Sequence, residues 1–256
     1  WPGFLAPMFR RNGLMVTLIA ALSVAGFVIG FAAWHDPAVM FGAHTGPGAF
    51  YRIMPHNAMV AIFGAAFLWS VLAIVMSCVN FWRDIGEPSS TLRDPQALTG
   101  GAKDAATLKY LDGGGVGCMG ESDKPDDNRR LYHHLTFYGF MLCFAATSVG
   151  TIWHYLLGRD APYPWYDLPV VLGTLGGIGI TIGPIGLLMA KFRRDPQLMD
   201  ESRKGMDVAF IVMLFLTGIT GLALLFLRAT PMMGTLLALH LGFVFGFFVT
   251  MPYGKF

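Results

Sequence analysis

The fold class that this sequence predicts is an all-α polytopic membrane helix bundle with six transmembrane helices, and three observations carry it. Of the 256 residues 54% are hydrophobic and only 13% are charged, with a mean hydropathy of +0.54, far from the quarter-charged norm of soluble domains. Apolar runs of about 20 residues, the length that crosses a bilayer, occur near 14–34, 58–81, 135–157, 168–190, 208–227 and 232–251. Basic residues concentrate in alternate connections. Arg10 and Arg11 precede the first run, Arg83, Arg93, Lys103, Lys109, Lys124, Arg129 and Arg130 separate the second from the third, and Lys191, Arg193, Arg194, Arg203 and Lys204 separate the fourth from the fifth. The positive-inside tendency places those connections and both termini in the cytoplasm. Residues 1–256 are thus expected to form a single multi-pass domain in the bacterial inner (cytoplasmic) membrane.

Each span follows from its own residues. The first is too long and uninterrupted for a signal-peptide core and no small-residue cleavage pattern follows it, so it stays as a helix. The second is opened by His56 after Pro55, and its preceding connection holds a lone basic residue, Arg52. The connection 83–130 is too polar to enter a membrane and too poor in apolar residues for a core, so it is expected to be a cytoplasmic loop. Its glycine run 113–117 has no following Lys-Ser/Thr and opens no clear helix, which makes a turn a better reading than a phosphate cradle. The third span begins after Arg129-Arg130-Leu131-Tyr132-His133-His134 and ends at Trp153-His154-Tyr155. The fourth carries Gly173, Gly176, Gly177, Gly179, Gly183 and Gly186. Small residues at such spacing let membrane helices approach closely, and Pro184 permits a kink; clearance for a planar macrocycle is the subsidiary reading of that face. The fifth span is uniformly apolar, and the sixth contains His240.

Histidines carry the chemistry. An ionisable ring at hydrocarbon depth is costly unless paired, hydrogen-bonded or metal-bound, and haem iron is the first metal to consider. In the six-span topology His56, His154 and His240 share the non-cytoplasmic leaflet. Two imidazoles at similar depth on facing helices are what a b-type haem requires, so His154 paired with His56 or with His240 forms the candidate ligand set. His133 lies 21 positions before His154, about 60° away around the helix and about 31 Å along it. His133 and His134, with Arg52, are the candidates for cofactor contacts: a quinone, a propionate or an inner haem. His35 and His44 belong to the outer loop and read as hydrogen-bonded structural side chains. Trp34, Trp82, Trp153, Tyr163, Trp165 and Tyr166 fall where interfacial belts are expected. The three cysteines, Cys78, Cys118 and Cys143, are too dispersed for a thiol-ligated cluster, and no basic stripe suggests nucleic acid.

Several segments together carry a family likeness. Tyr51-Arg52-Ile53-Met54-Pro55-His56, Gly113-Gly114-Gly115-Val116-Gly117-Cys118, His133-His134-Leu135-Thr136-Phe137-Tyr138-Gly139-Phe140, Leu168-Pro169-Val170-Val171-Leu172-Gly173-Thr174-Leu175-Gly176-Gly177 and Met251-Pro252-Tyr253-Gly254-Lys255-Phe256 resemble the membrane half of the tricarballylate-utilisation (citrate-utilisation) protein B family over nearly the whole chain. The resemblance implies an electron-transfer subunit that takes electrons from a cytoplasmic flavoprotein dehydrogenase through iron–sulfur clusters and one or two b haems toward quinone. The chain departs from the pattern in lacking ferredoxin-type cysteine runs. Its start, Trp1-Pro2-Gly3-Phe4, is expected to follow an iron–sulfur domain that lies in a preceding segment or a partner.

The competing reading from another class is a secondary transporter for a tricarboxylate, since intramembrane histidine and glycine-broken helices also occur at transport sites. Spans almost devoid of Asp, Glu, Lys and Arg, with no inverted repeat, weigh against it. A purely structural anchor leaves the intramembrane histidines without a role. The topology has a direct test: cytoplasm-sensitive reporters fused near Gly100 and near Ala161 give opposite signals, and matching signals overturn the six-span arrangement.

Overall fold

The computed structural model describes residues 6–10, 13–111, 128–193 and 201–253. Its described residues form helices and connections without a strand: α1 (Leu14–Trp34), α2 (Pro37–Met40), α3 (His56–Asp84), α4 (Pro95–Ala106), α5 (Asn128–Leu157), α6 (Leu168–Phe192), α7 (Glu201–Leu227) and α8 (Met233–Thr250). Six of them are long and apolar enough to cross a membrane, which makes the chain a six-span helical bundle. The glycine run 113–117, Cys118, Trp1–Phe4 and residues 254–256 lie outside the described residues.

Two boundaries differ from the sequence reading. α5 begins at Asn128 rather than near 135, because Arg129, Arg130, His133 and His134 are themselves good enough helix residues to extend the span beyond its hydrocarbon length. The connection 83–130 also contains a helix, α4, where a loop was expected. Asp94 caps it by accepting from the Gln96 backbone N–H at 2.8 Å, and Pro95 occupies the first turn, a start signal that acts whatever the surrounding polarity.

The bundle is inside-out relative to a soluble one. Leu22, Ile29, Leu68, Phe81 and Leu156 are each more than 60% exposed, an arrangement stable where the surrounding medium is hydrocarbon and backbone groups are satisfied within helices. α8 and α6 are the most enclosed spans, while α1 and α5 expose most of their length. α8 packs against α1, α3 and α7, and α6 packs against α5 and α7. Hydroxyls inside the spans are turned back onto their own helices, as in Thr136 to Tyr132 O at 2.9 Å and Thr181 to Gly177 O at 2.7 Å. Ser70 also reaches across, donating to Phe248 O at 2.5 Å and tying α3 to α8.

A close approach of two backbones joins α5 and α6. Gly176, Gly179, Gly183 and Gly186 lie three, four and three residues apart, on one helix face. An added Cβ at Gly176 would stand 2.7 Å from Cys143 Sγ and from Gly139 O, and one at Gly179 would stand 2.7 Å from Leu135 O. This face is therefore filled by the α5 backbone, so the close-packing reading of the glycines holds and the macrocycle reading does not. The glycines adjoining α5 skip Gly177, which faces Leu222 of α7 instead.

At the opposite edge of α6, Lys191 Nζ lies 2.7 Å from Asp207 Oδ2 of α7. Both side chains are largely buried, and each neutralises the other where an isolated charge would be costly.

α3 and α5 meet differently. They are not among the closely packed helix pairs, and aromatic rings bridge them instead: Phe67 stacks on Phe144 with centroids 5.6 Å apart. The glycine seam has a measurable consequence. Gly179→Ala forces a methyl into the α5 backbone and should lower the melting temperature in detergent by an amount equivalent to about 1–3 kcal/mol, whereas Gly64→Ala, with no atom within 4 Å of the new Cβ, should be neutral or slightly stabilising. Equal effects of the two substitutions would show that the seam is not tight.

Candidate functional site

The site builds from the end of α5. Gly158, with φ +60°, takes the left-handed conformation that a side chain disfavours and turns the chain sharply off the helix. The segment 158–167 then folds back over the bundle and is fastened at several points. The Arg159 guanidinium reaches Asp167 Oδ2 at 2.5 Å and lies 4.4 Å over the Trp153 ring. Tyr163 donates its hydroxyl to Gly150 O at 3.0 Å, and Arg228, from the end of α7, donates to Tyr163 O at 2.6 Å. A second segment, 46–52, joins it where the Gly48 backbone N–H donates to Ala161 O at 2.8 Å.

These two segments enclose a pair of imidazoles. His56, at the first position of α3, and His154, near the end of α5, stack with ring centroids 3.6 Å apart and planes 25° from parallel. Tyr51 presents its ring edge-on to both, at 5.1 Å from His56 and 5.8 Å from His154, and Tyr155 stands 5.4 Å from His56. Burial raises the Tyr51 phenol above its ordinary pKa, with Tyr163 adding to the effect, so it remains a neutral hydroxyl beside the pair. His154 Nδ1 is 2.9 Å from Asp160 Oδ1, at ion-pair distance though not aligned as a standard hydrogen bond. His56 Nδ1 is buried and has no hydrogen-bond partner among the described residues.

Of the sequence-derived candidates, then, the structure brings His56 and His154 together and leaves His240 apart. His240 lies in α8 against α7, its Nδ1 3.2 Å from Thr220 Oγ1 and its ring over Gly221, where a Cβ would come within 2.9 Å of it. Relative to the Phe140–Phe247 contact, His154 is 14 residues toward the histidine end and His240 only seven, which puts His240 about 10 Å deeper. Arg52 is exposed, one residue from Tyr51. At the far end of α5, His134 Nδ1 lies 2.9 Å from Arg130 O and its ring stacks on Tyr138, while His133 is half-buried. His35 and His44 each pair a ring nitrogen with a backbone carbonyl, Ile53 O at 2.6 Å and Val39 O at 2.7 Å.

Among the described residues no three His, Cys, Asp or Glu side chains gather as a site for a bare metal ion. Haem iron asks less of the protein, because its macrocycle supplies the other ligands and two imidazoles suffice. His56 and His154 suit it in donor type and in lying at one depth on facing helices, and the orphaned His56 Nδ1 is a buried nitrogen awaiting a partner. In this structure the rings touch, so a macrocycle between them requires them to part.

A second feature is an apolar groove of about 820 Å³ between α1 and α3, floored by Phe245 of α8 and lined by Gly26, Gly30, Phe31 and Ala58.

Fold and site together define a polytopic α-helical membrane protein with a paired-histidine centre at one end of its bundle. The model of the family described as citrate utilization protein B matches residues 7–256, and the chain belongs to that family. The citrate utilization protein B of Escherichia coli is 42% identical over 261 residues, an alignment that takes in 100% of this chain and 66% of that protein. The chain thus spans about two thirds of that relative's length. No solved structure matches it.

Asp160 was not legible as a site residue. It follows His154 by six positions, beyond the helix end, where no helical spacing rule relates the two. His240 also yields a local test: Thr220→Val removes the oxygen beside its buried Nδ1 and should destabilise the protein by about 1–3 kcal/mol, read as a lower melting temperature, with His240→Leu in the same chain recovering part of the loss. No recovery in the double variant would show that the two side chains do not interact.

Proposed function

We propose that this protein is a haem-b electron-transfer subunit of the cytoplasmic membrane, relaying electrons between a cytoplasmic flavoprotein dehydrogenase with its iron–sulfur domain and the quinone pool. The observation that supports it best is the meeting of His56 and His154, two imidazoles carried by different spans to one point. Family membership supports a role in citrate or tricarballylate utilisation, and spans nearly free of paired charge apart from Lys191–Asp207 favour electron passage over carriage of a multiply charged anion.

Within this reading His56 and His154 hold the iron, and a bound haem supplies a one-electron carrier inside the low-dielectric bundle. The chain's own residues do the rest. Tyr51 closes the pair against water as an uncharged ring, and the 158–167 segment passes beside it with Asp160 Oδ1 2.9 Å from His154 Nδ1. Inward of the pair, Phe67, Phe144 and Phe248 form a ring cluster that keeps the space between α3, α5 and α8 dry. The groove between α1 and α3 is lined by apolar residues, and we assign it to the isoprenoid chain of a quinone. His133, His134 and Arg52 are the residues proposed to contact cofactor outside the pair.

The experiment is a reduced-minus-oxidised spectrum of the purified protein together with haem per chain. A sharp low-spin alpha band and acid-acetone-extractable haem are expected, because the chain has no Cys-x-x-Cys-His attachment motif. His154→Ala and His56→Ala should each lose most of the haem, and His44→Ala should keep it. Full haem with an unchanged low-spin spectrum in both of the first two variants would overturn the ligand assignment.

A further inference from the structure

We infer that α4 lies along the bilayer surface, in the headgroup layer at the end of the bundle away from the histidine pair, with the face that carries Leu98 turned to lipid. No burial among the described residues accounts for this helix. α4 is 12 residues long and buries none of them, and it carries Gly100 and Gly101 in its interior, where an added Cβ would meet no described atom within 4 Å. A helix so short is marginal in water even when built of good helix formers, and each interior glycine weakens it further. Burying one face against a surface outside the bundle supplies what propensity does not.

The occupant follows from where α4 is tied. Its C-terminal carbonyls are held by two side chains of α5: Tyr138 donates its hydroxyl to Ala106 O at 2.7 Å, and Arg130 Nη2 donates to Thr107 O at 3.0 Å. Tyr138 stands eight positions after Arg130, about 12 Å along the helix, and a helical tyrosine leans toward the N-terminus of its helix. The two carbonyls therefore sit beside the stretch of α5 between Arg130 and Tyr138, where basic residues give way to the apolar run that starts near residue 135. That is headgroup level, the depth at which tyrosine rings collect. Tyr138 and Met141 are exposed on the lipid-facing surface of α5, so α4 continues a surface that already meets the bilayer.

The residues of α4 suit that place. Leu98, Gly101, Ala102 and Ala105 fall within about 100° of one another around the helix, and Gln96, Gly100 and Lys103 lie across from them. A helix of low overall hydrophobicity whose apolar and polar residues are segregated lies in an interface rather than crossing it. Leu92 before α4, Leu98 within it and Tyr110 after it are all exposed. Between Asp94 and Lys109 two acidic side chains match two basic ones, and Asp104 takes Lys109 at 2.9 Å. The contact thus draws on apolar burial, and neutral lipid is enough for it.

The test uses the full chain in phosphatidylcholine nanodiscs, with Cys78, Cys118 and Cys143 replaced by alanine and a nitroxide on one introduced cysteine at a time: Leu98→Cys, Ala102→Cys, Gln96→Cys or Lys103→Cys. All four positions are exposed, and only variants with the parent's elution profile and melting temperature are read. Collisions with oxygen, which enters the bilayer, are compared with collisions with a water-soluble nickel chelate. Labels at 98 and 102 should show an oxygen-to-nickel ratio severalfold above those at 96 and 103, since the apolar face of such a helix sits about 5–10 Å into the headgroup and acyl boundary. Four labels equally open to nickel would place α4 in water and overturn the inference. Labels at 98 and 102 closed to both reagents would mean that a protein surface, from a partner or a second copy, covers this face, and would overturn it too.

Discussion

The contact on which the rest of the arrangement depends is the glycine seam between α5 and α6. Helices in hydrocarbon gain nothing from hiding apolar side chains from one another, so their association rests on how closely their surfaces fit. Removing four side chains from one face of α6 brings its backbone against that of α5, with Gly139 answering from the other side. That fit sets the height of α5 relative to α6, and with it the span of the 158–167 connection. His154 and Asp160 inherit their positions from this register. The partners of the connection, Asp167 at the start of α6 and Arg228 at the end of α7, keep it there.

On the other side of the histidine pair the logic changes. α3 and α5 are not among the closely packed helix pairs and meet through stacked rings, and α3 is anchored to α8 by the Ser70 hydroxyl and by Phe63 and Phe67 against Phe245 and Phe248. One imidazole is thus borne by the tightly seamed pair and the other by a helix tied elsewhere.

Much of the fold was readable from residues alone, because apolar length and loop charge are properties of composition and survive any detail of packing. The six spans came from these. α4 did not, since the polar composition of 83–130 masked a capped start at Asp94-Pro95. The glycines of α6 announced close packing, but the face that matters, 176-179-183-186, follows the helical period rather than the four-residue steps that first draw attention. Depth gave His154 two possible partners, and only the three-dimensional arrangement separates them: His56 shares its level, and His240 sits deeper against Gly221. Asp160 and Asp207 needed the structure outright, since each is defined by a partner on another element. Lys191 and Asp207, read in sequence as parts of a charged connection, thus form a largely buried ion pair across the ends of α6 and α7.

The boundary between α3 and α5 also bears on how the bundle is put together. With no close helix packing there, the membrane part divides into a unit of α5, α6 and α7 and a unit of α1, α3 and α8, joined where α7 meets α1 and α8, by the Gly48–Ala161 hydrogen bond and by aromatic stacking. The histidine pair lies on the side where the two units only touch. Beside that pair the Gly48 backbone N–H donates to Ala161 O, so at this end of the bundle the two units are tied by their connecting segments rather than by their helices, and a change in either connection is felt directly at the imidazoles.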